Sequence, residues 1–288
     1  MEKKYSITYT QLDNPLQLND FYVYQIGRAF CNEVSYCENH FHQNWYELTI
    51  VTDGEGVIYT NNTPVPVKKG DIYLSCIYDI HAIKSNAKNP LKYDFCAFLP
   101  KNQTLKRGFK TLASKLSNEH SRLFQSNRIS ALCPMALNEM QDLSKELSPV
   151  LLNSLMLLIA EYTLRILNKT QLSDNSLISD KKVLCYQIMD YISENVENLR
   201  TLTILADVFH YSYNYLSTVF KQTTDIHLVD FYNLQRLTLA KTLILENKLS
   251  LEKIAEKINY STPFALSKAF KKQFNLSPAE LKRTAKHE

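Results

Sequence analysis

The last hundred residues carry one pattern twice. Laid on themselves at a shift of about 50 residues, they pair Leu202 with Leu251, Ala206 with Ala255, Tyr211-Ser212 with Tyr260-Ser261, Leu216-Ser217 with Leu266-Ser267, and Phe220-Lys221 with Phe270-Lys271. Each copy reads as a short helix, a turn of three or four residues and a second amphipathic helix. Leu202, Leu205 and Ala206 face inward before a turn at His210 to Ser212, and Leu216, Val219 and Phe220 face inward after it. In the second copy Leu251, Ile254, Ala255 and Ile258 precede a turn at Asn259 to Ser261, and Leu266, Ala269 and Phe270 follow it. A small alanine on the first helix of each pair lets two helices cross steeply at close range. Such a chain is restricted to a pair of helix-turn-helix units, joined here by a long helix from about Val229 to Glu246.

The runs Tyr215-Leu216-Ser217-Thr218-Val219-Phe220-Lys221, Gln235-Arg236-Leu237-Thr238-Leu239-Ala240-Lys241, Lys253-Ile254-Ala255, Ala269-Phe270-Lys271-Lys272-Gln273-Phe274 and Ser277-Pro278 occur in order between Lys182 and Arg283. In order and spacing they resemble the DNA-binding domain of the AraC/XylS family of transcription regulators. Where that family usually carries Gly, this chain has Asp225, Asn259 and Asn275, the residue types that best tolerate a left-handed backbone without being glycine. The family's usual Tyr-Arg after Ser-Pro is Leu281-Lys282.

The resemblance implies a double-stranded DNA partner, with the second helix of each unit in the major groove. Carried over residue by residue, the exposed positions are Asn214, Ser217, Thr218 and Lys221 on the first recognition helix. On the second they are Thr262, Pro263, Ser267, Lys268, Lys271 and Lys272. Asn214 suits adenine and Lys268 suits guanine. The aromatic residues Tyr211, Tyr215, Phe220, Tyr260, Phe264, Phe270 and Phe274 are expected in the core. Charge agrees with a polyanion partner for this part alone: residues 181–288 hold 15 Lys+Arg against 11 Asp+Glu, which supplies the whole net charge of +4.

Residues Phe21 to about Leu99 have a different texture, short runs of Tyr, Val, Ile and Phe broken by turn signals at Asp53-Gly54, Asn61-Asn62 and Lys69-Gly70-Asp71. The spacing His40-x-His42-x4-Glu47-x6-Gly54, with Gly70-Asp71 and then His81, resembles the motifs of the cupin barrel; its usual Pro and Gly are Cys76 and Tyr78 here. His-x-His places both imidazoles on one face of a strand. Three readings of His40, His42, Glu47 and His81 stand side by side: the lining of an effector pocket, structural hydrogen-bonding groups, or ligands of a metal such as Zn, Mn, Fe or Ni. Trp45, Tyr59, Tyr93 and Phe95 are pocket candidates beside them.

The expected fold is α+β in two domains. Residues 1–170 form a cupin-like β-barrel (about 20–100) with flanking helices (about 103–168), residues 171–180 a linker, and residues 181–288 an all-α domain with two helix-turn-helix motifs. Six cysteines without a CxxC pair, and a start with no signal-peptide pattern, point to reduced thiols in the cytoplasm. The apolar run Val150 to Leu167 is interrupted by Asn153, Ser154, Glu161 and Arg165, which argues against a membrane span. Leu151, Leu152, Leu155, Leu158, Ile159, Tyr162 and Ile166 within it suggest a helix pair between two protomers. The expected function is sequence-specific regulation of transcription, as an activator that meets RNA polymerase by family resemblance, under control of a small-molecule effector. No catalytic residue and no cofactor is expected. The alternatives are a barrel that binds protein without any small ligand, and a metal-dependent cupin enzyme.

Overall fold

The computed structural model describes residues 4–10, 15–31, 36–41, 45–61, 63–116, 118–141, 148–171, 180–224 and 226–284. It divides into two compact units, residues 1–179 and 180–288.

In the first unit the strands are β1 (Lys4–Thr10), β2 (Leu16–Gln17), β3 (Phe21–Phe30), β4 (Tyr36–Phe41), β5 (Tyr46–Asp53), β6 (Glu55–Thr60), β7 (Thr63–Lys68), β8 (Asp71–Ser75), β9 (Ile80–Ser85), β10 (Lys92–Pro100) and β11 (Leu123–Gln125). They pair in two sheets. One runs β1-β3-β10-β5-β8-β11 with β2 on β3, the other β4-β9-β6-β7. The cupin-like expectation thus takes the form of two facing sheets, and among the described residues no ladder joins them into a ring. Both sheets are antiparallel; β6 and β7 are joined by a tight turn, and β5 passes from one sheet to β6 of the other at Gly54, so the turn signals fall where glycine or asparagine is needed. Gly54 has φ 77°, and a side chain there would collide with the backbone of Pro90; Asn61 also takes a positive φ, and Asn62 lies outside the described residues.

Strand alternation divides the larger sheet between two cores. Leu48 and Ile50 of β5 point, with Ile72, Leu74, Cys96 and Phe98, onto the helices α1 (Gln103–Lys115), α2 (Asn127–Gln141) and α3 (Ser148–Gln171). The opposite face, with Val51, Tyr73, Tyr93 and Phe95, meets Ile58, Val65, Val67 and Ile83 of the smaller sheet. Helix α3 has the length and apolarity of a membrane span. It is nonetheless half of a packed layer: Leu152, Leu155, Met156 and Ile159 are buried against the sheet. The Asn153 amide also ties the helix to Asp20, accepting from its backbone N–H at 3.0 Å and donating to its carboxylate at 2.8 Å.

The second unit contains α4 (Asp180–Asn195), α5 (Ile204–Phe209), α6 (Tyr213–Thr224), α7 (Leu228–Glu246), α8 (Leu251–Lys257), α9 (Pro263–Phe274) and α10 (Pro278–Thr284). Helix α7, roughly 28 Å long at 1.5 Å per residue, serves two cores. Phe231 near its start packs on Phe220, with ring centroids 5.4 Å apart. Leu237, Ala240 and Ile244 further along pack with Ile254, Ala255, Ile258, Leu266 and Phe270. Local chemistry fixes the helix ends. Ser250 and Thr262 cap α8 and α9, accepting from the N–H of Lys253 and Ala265. Ser277 and Glu280 form a reciprocal capping box at α10, with bonds of 2.6 and 3.2 Å.

Candidate nucleic-acid interface

The two copies share one register. Helices α6 and α9 each have 12 residues and start 50 positions apart. Leu216, Val219 and Phe220 are buried in one, Leu266 and Phe270 in the other, with Ala269 half-buried. The turn before each recognition helix contains a left-handed residue, His210 at φ 57° and Asn259 at φ 60°. Asn259 and Asn275 (φ 57°) adopt the backbone expected where the resembled family has glycine. Asp225 lies outside the described residues.

The nominated residues occupy the outward faces of these helices. On α6, Asn214 and Thr218 are exposed and Ser217 and Lys221 half-buried; on α9, Lys268, Lys271 and Lys272 are exposed and Ser267 half-buried. Thr262 and Pro263 stand at the start of α9, where the Thr262 hydroxyl oxygen is engaged at 3.1 Å with the Ala265 N–H. Cations at three positions of α9 against one on α6 give the second copy most of the positive field.

The seven aromatic residues do not behave alike. Phe220 and Phe270 are fully buried and Tyr260 and Phe274 half-buried, but Tyr211, Tyr215 and Phe264 are exposed, Phe264 to 78%. The expectation that all seven form core therefore needs correction. Phe264 sits one residue into its helix, on the side away from Leu266 and Phe270, and Tyr211 and Tyr215 stack on one another at 4.9 Å outside the first core.

Arg236 of α7, part of the family-like run Gln235 to Lys241 but without a role assigned from it, holds the second copy together. Its guanidinium donates to the carbonyl of Ile258 at 2.6 Å and to that of Asn259, and lies 4.2 Å from the Tyr260 ring centroid and 5.1 Å from that of Tyr232. Those carbonyls end α8, where a helix presents its negative pole. The turn before α9 is thereby fixed from the linking helix. Tyr232 itself donates to the Leu199 carbonyl, tying the same helix to the segment before α5.

In the first unit two of the nominated polar residues, Glu47 and His81, point inward. Glu47 and His81 are both buried, with the His81 Nε2 3.6 Å from the Glu47 carboxylate. Burial pushes the Glu47 carboxyl up to about 8, so it is mostly protonated at neutral pH. His40 lies on β4 with its Cα opposite that of His81, and His42 lies outside the described residues. Among the described residues no three His, Cys, Asp or Glu side chains are grouped to hold a metal. Tyr93 and Phe95 are buried in the core between the sheets, and Trp45 stacks on Tyr24 at 4.7 Å. Tyr59, in contrast, lines a cleft of about 650 Å³ with Val57, Pro66, Lys68, Lys84 and Asn86. Tyr78 explains its own departure from the cupin pattern: φ is 71° there, a glycine conformation held by a buried tyrosine at a cost of roughly 1–2 kcal/mol.

Two family descriptions match the chain, AraC-like ligand binding domain over residues 22–157 and helix-turn-helix domain over residues 205–284. The HTH-type transcriptional regulator YfiF of Bacillus subtilis (strain 168) is 24% identical over 268 residues, which is 90% of this chain and 82% of that protein. The HTH-type transcriptional activator RhaS of Shigella sonnei (strain Ss046) is 24% identical over 254 residues, 84% of this chain and 86% of its own length. In fold, the chain is similar to ToxT from Vibrio cholerae O395, solved with (E)-4-(8-methylnaphthalen-1-yl)but-3-enoic acid. That likeness has a TM-score of 0.50 at 13% identity and covers 93% of this chain and 100% of the other.

Proposed function

The chain belongs to the AraC family of helix-turn-helix transcription regulators, and from that premise we propose that α6 and α9 read two neighbouring major-groove segments of one DNA site. The carrying observation is the common register of the two helices, which turns Asn214 and Thr218 outward on one and Lys268, Lys271 and Lys272 outward on the other. Ser217, Lys221, Thr262, Pro263 and Ser267 flank these positions and complete the contact surface. Small polar groups on α6 read base edges, and the lysines of α9 supply guanine recognition and phosphate neutralisation. The test is selection of bound duplexes from a random pool, followed by titration of the selected site and of a scrambled duplex at several salt concentrations, with wild type and Lys268→Ala. A Lys268→Ala protein that discriminates the two duplexes as well as wild type, with the same salt slope, would sink the assignment of Lys268.

The first unit is the control domain. Its interior is filled by Tyr73, Tyr93 and Phe95, which favours the open cleft beside Tyr59 as the place where a small effector meets the protein. Lys68 and Lys84 on that cleft favour an anionic one. Glu47, His81 and Trp45 then support the walls from within. Titration with metabolite mixtures, read by thermal shift in wild type and Tyr59→Ala, tests this; a ligand whose shift is untouched by the substitution places the site elsewhere. The same filled interior also favours a second reading, a control domain that receives another protein and no small ligand.

A homodimer through α3 completes the proposal. Of the apolar face expected for it, Leu152, Leu155 and Ile159 are buried in their own unit, so the contact rests on Val150, Leu151 and Leu158, exposed to between 46% and 60%, flanked by Tyr162 and Ile166. A monomeric mass by light scattering at micromolar concentration would remove it. Two protomers on one operator, in the cytoplasm, acting as an activator through contact with RNA polymerase, is the regulatory arrangement this reading supports.

A further inference from the structure

We propose that Phe264 is a specificity-determining residue, whose ring recognises the 5-methyl group of a thymine in the major groove. The inference rests on the reading of α9 as a recognition helix. Because α6 and α9 are of equal length and begin 50 residues apart, Phe264 occupies in the second copy the position that Asn214 occupies in the first. The buried residues secure that register, with Leu216 matching Leu266 and Phe220 matching Phe270. A position offered to a base edge by an amide in one copy is offered by a phenyl ring in the other.

The exposure of this ring separates it from the other aromatic residues of the unit. At 78% it exceeds every other exposed large apolar side chain among the described residues, while Phe220, Phe231 and Phe270 are fully buried. It does not belong to a broad apolar patch: Ser261, Thr262, Lys268, Lys271 and Lys272 around it are polar and exposed. A protein partner would be met by contiguous apolar area, and one isolated ring does not provide that. Helical spacing puts Phe264, Lys268 and Lys271 or Lys272 on one stripe, at i, i+4 and i+7 or i+8. The stripe begins at the N-terminal turn, the part of a recognition helix that meets base edges. That turn is held by the Thr262 cap and by Pro263 at the first helical position, so the ring is presented from a fixed backbone.

A phenyl ring neither donates nor accepts a conventional hydrogen bond, so it is blind to the donor and acceptor code of the groove. The apolar feature that the four unmodified bases place there is the thymine methyl. Phe264 therefore selects thymine at one base pair, while Lys268, one turn along, addresses a neighbouring base or phosphate.

The experiment uses the full chain and its site selected from a random duplex pool. Each thymine of that site is replaced singly by deoxyuridine, which keeps base pairing and deletes the methyl, and affinities are measured at several salt concentrations for wild type, Phe264→Ala and Phe264→Leu. At one thymine the replacement is expected to weaken wild type about 3- to 10-fold, as removing one well-buried methyl does. Phe264→Ala should bind the unmodified site more weakly by a similar factor and be indifferent to that replacement. Phe264→Leu should keep part of the effect, and all three proteins should share one salt slope. Equal sensitivity to deoxyuridine in wild type and Phe264→Ala overturns the proposal, as does a loss on Phe264→Ala with no sensitive thymine in wild type, which would indicate a wedge between base pairs. Failure of the underlying reading looks different: no sequence is enriched from the pool, and Lys268→Ala leaves the salt slope unchanged.

Discussion

The two units treat their polar chemistry in opposite ways. The sheet-rich unit turns Glu47 and His81 inward and closes Tyr73, Tyr93 and Phe95 around its centre. The helical unit keeps its interior almost wholly apolar and displays Asn214, Thr218, Lys268, Lys271 and Lys272. A group turned outward keeps its hydration and its charge until a partner arrives. A group turned inward must lose its charge or find a counter-charge, and Glu47 has done the former. The helical surface is thus ready for a polyanion, whereas the sheet interior contributes stability and shape.

Salt dependence gives the largest way to break this contrast. Replacing Lys268, Lys271 and Lys272 together by Gln should lower affinity for the selected site between about 10²- and 10³-fold at 0.1 M salt and reduce the slope of log K against log salt by about 2.7, near 0.9 for each phosphate that is no longer neutralised. Lys68→Gln with Lys84→Gln in the first unit should change neither. If the second pair moves the slope as much as the first three, the sheet unit also lies on DNA and the division of labour fails.

Next in size is Glu47. In the folded protein its pKa stands at about 8 instead of 4.5; on unfolding it returns to water and releases a proton at any pH between those values. Its contribution to stability is therefore full below about pH 4.5 and declines as pH rises towards 8. Glu47→Gln keeps the shape without the ionisation, and should raise stability at pH 7 by something of the order of 3 kcal/mol while leaving it nearly unchanged at pH 4.5. Denaturant unfolding at both pH values measures this. A gain at pH 4.5 as large as that at pH 7 would mean the carboxyl is not held neutral.

How far the sequence reveals these arrangements depends on the element. A period of 3.6 specifies inside and outside from the chain alone, so Leu216, Phe220, Leu266 and Phe270 are legible as core and the lysines of α9 as surface. Residue type alone misplaces Phe264 in the core; its alignment with Asn214 carries the correct answer. A period of 2 likewise identifies Glu47 as facing the interior, but whether that interior is hollow depends on Tyr73, Tyr93 and Phe95, which come from two separate strands. On α3, apolar around much of its circumference, no pattern distinguishes Leu155, 4% exposed, from Leu158, 46% exposed. That choice is made by what α3 packs against, the helices α1 and α2 together with the sheet. Arg236 is legible as part of a family motif, yet its role arises from carbonyls 22 and 23 residues away.

Arg236→Lys sharpens the contrast from inside the helical unit. An ammonium cannot reproduce two directed bonds and a stacked plane at once. The substitution should destabilise this unit by about 2 kcal/mol, near the value of one or two hydrogen bonds to a charged group. Amide exchange should rise in α8 and α9 and stay unchanged in α1 to α3. Equal acceleration in both units would show that they unfold as one.

The smallest effects come from two asparagines that share a left-handed backbone but not the same surroundings. Asn275 ends α9 at φ 57° and is exposed, so its value lies in tolerating that conformation; Asn275→Gly should be neutral or stabilise by a few tenths of a kcal/mol, and Asn275→Ala should cost about 1 kcal/mol. Asn259, at φ 60°, also directs its amide towards the Leu199 carbonyl at 3.4 Å, beside the Tyr232 hydroxyl. Glycine would relax the backbone there and remove that link between the second turn and the segment before α5, so Asn259→Gly should lose roughly 0.5–1 kcal/mol. Opposite signs for the same replacement, read by thermal unfolding, would show that the resembled glycines were exchanged for different reasons at the two turns. Equal signs would reduce both to backbone tolerance and leave Arg236 as the main tie between the linking helix and the second copy.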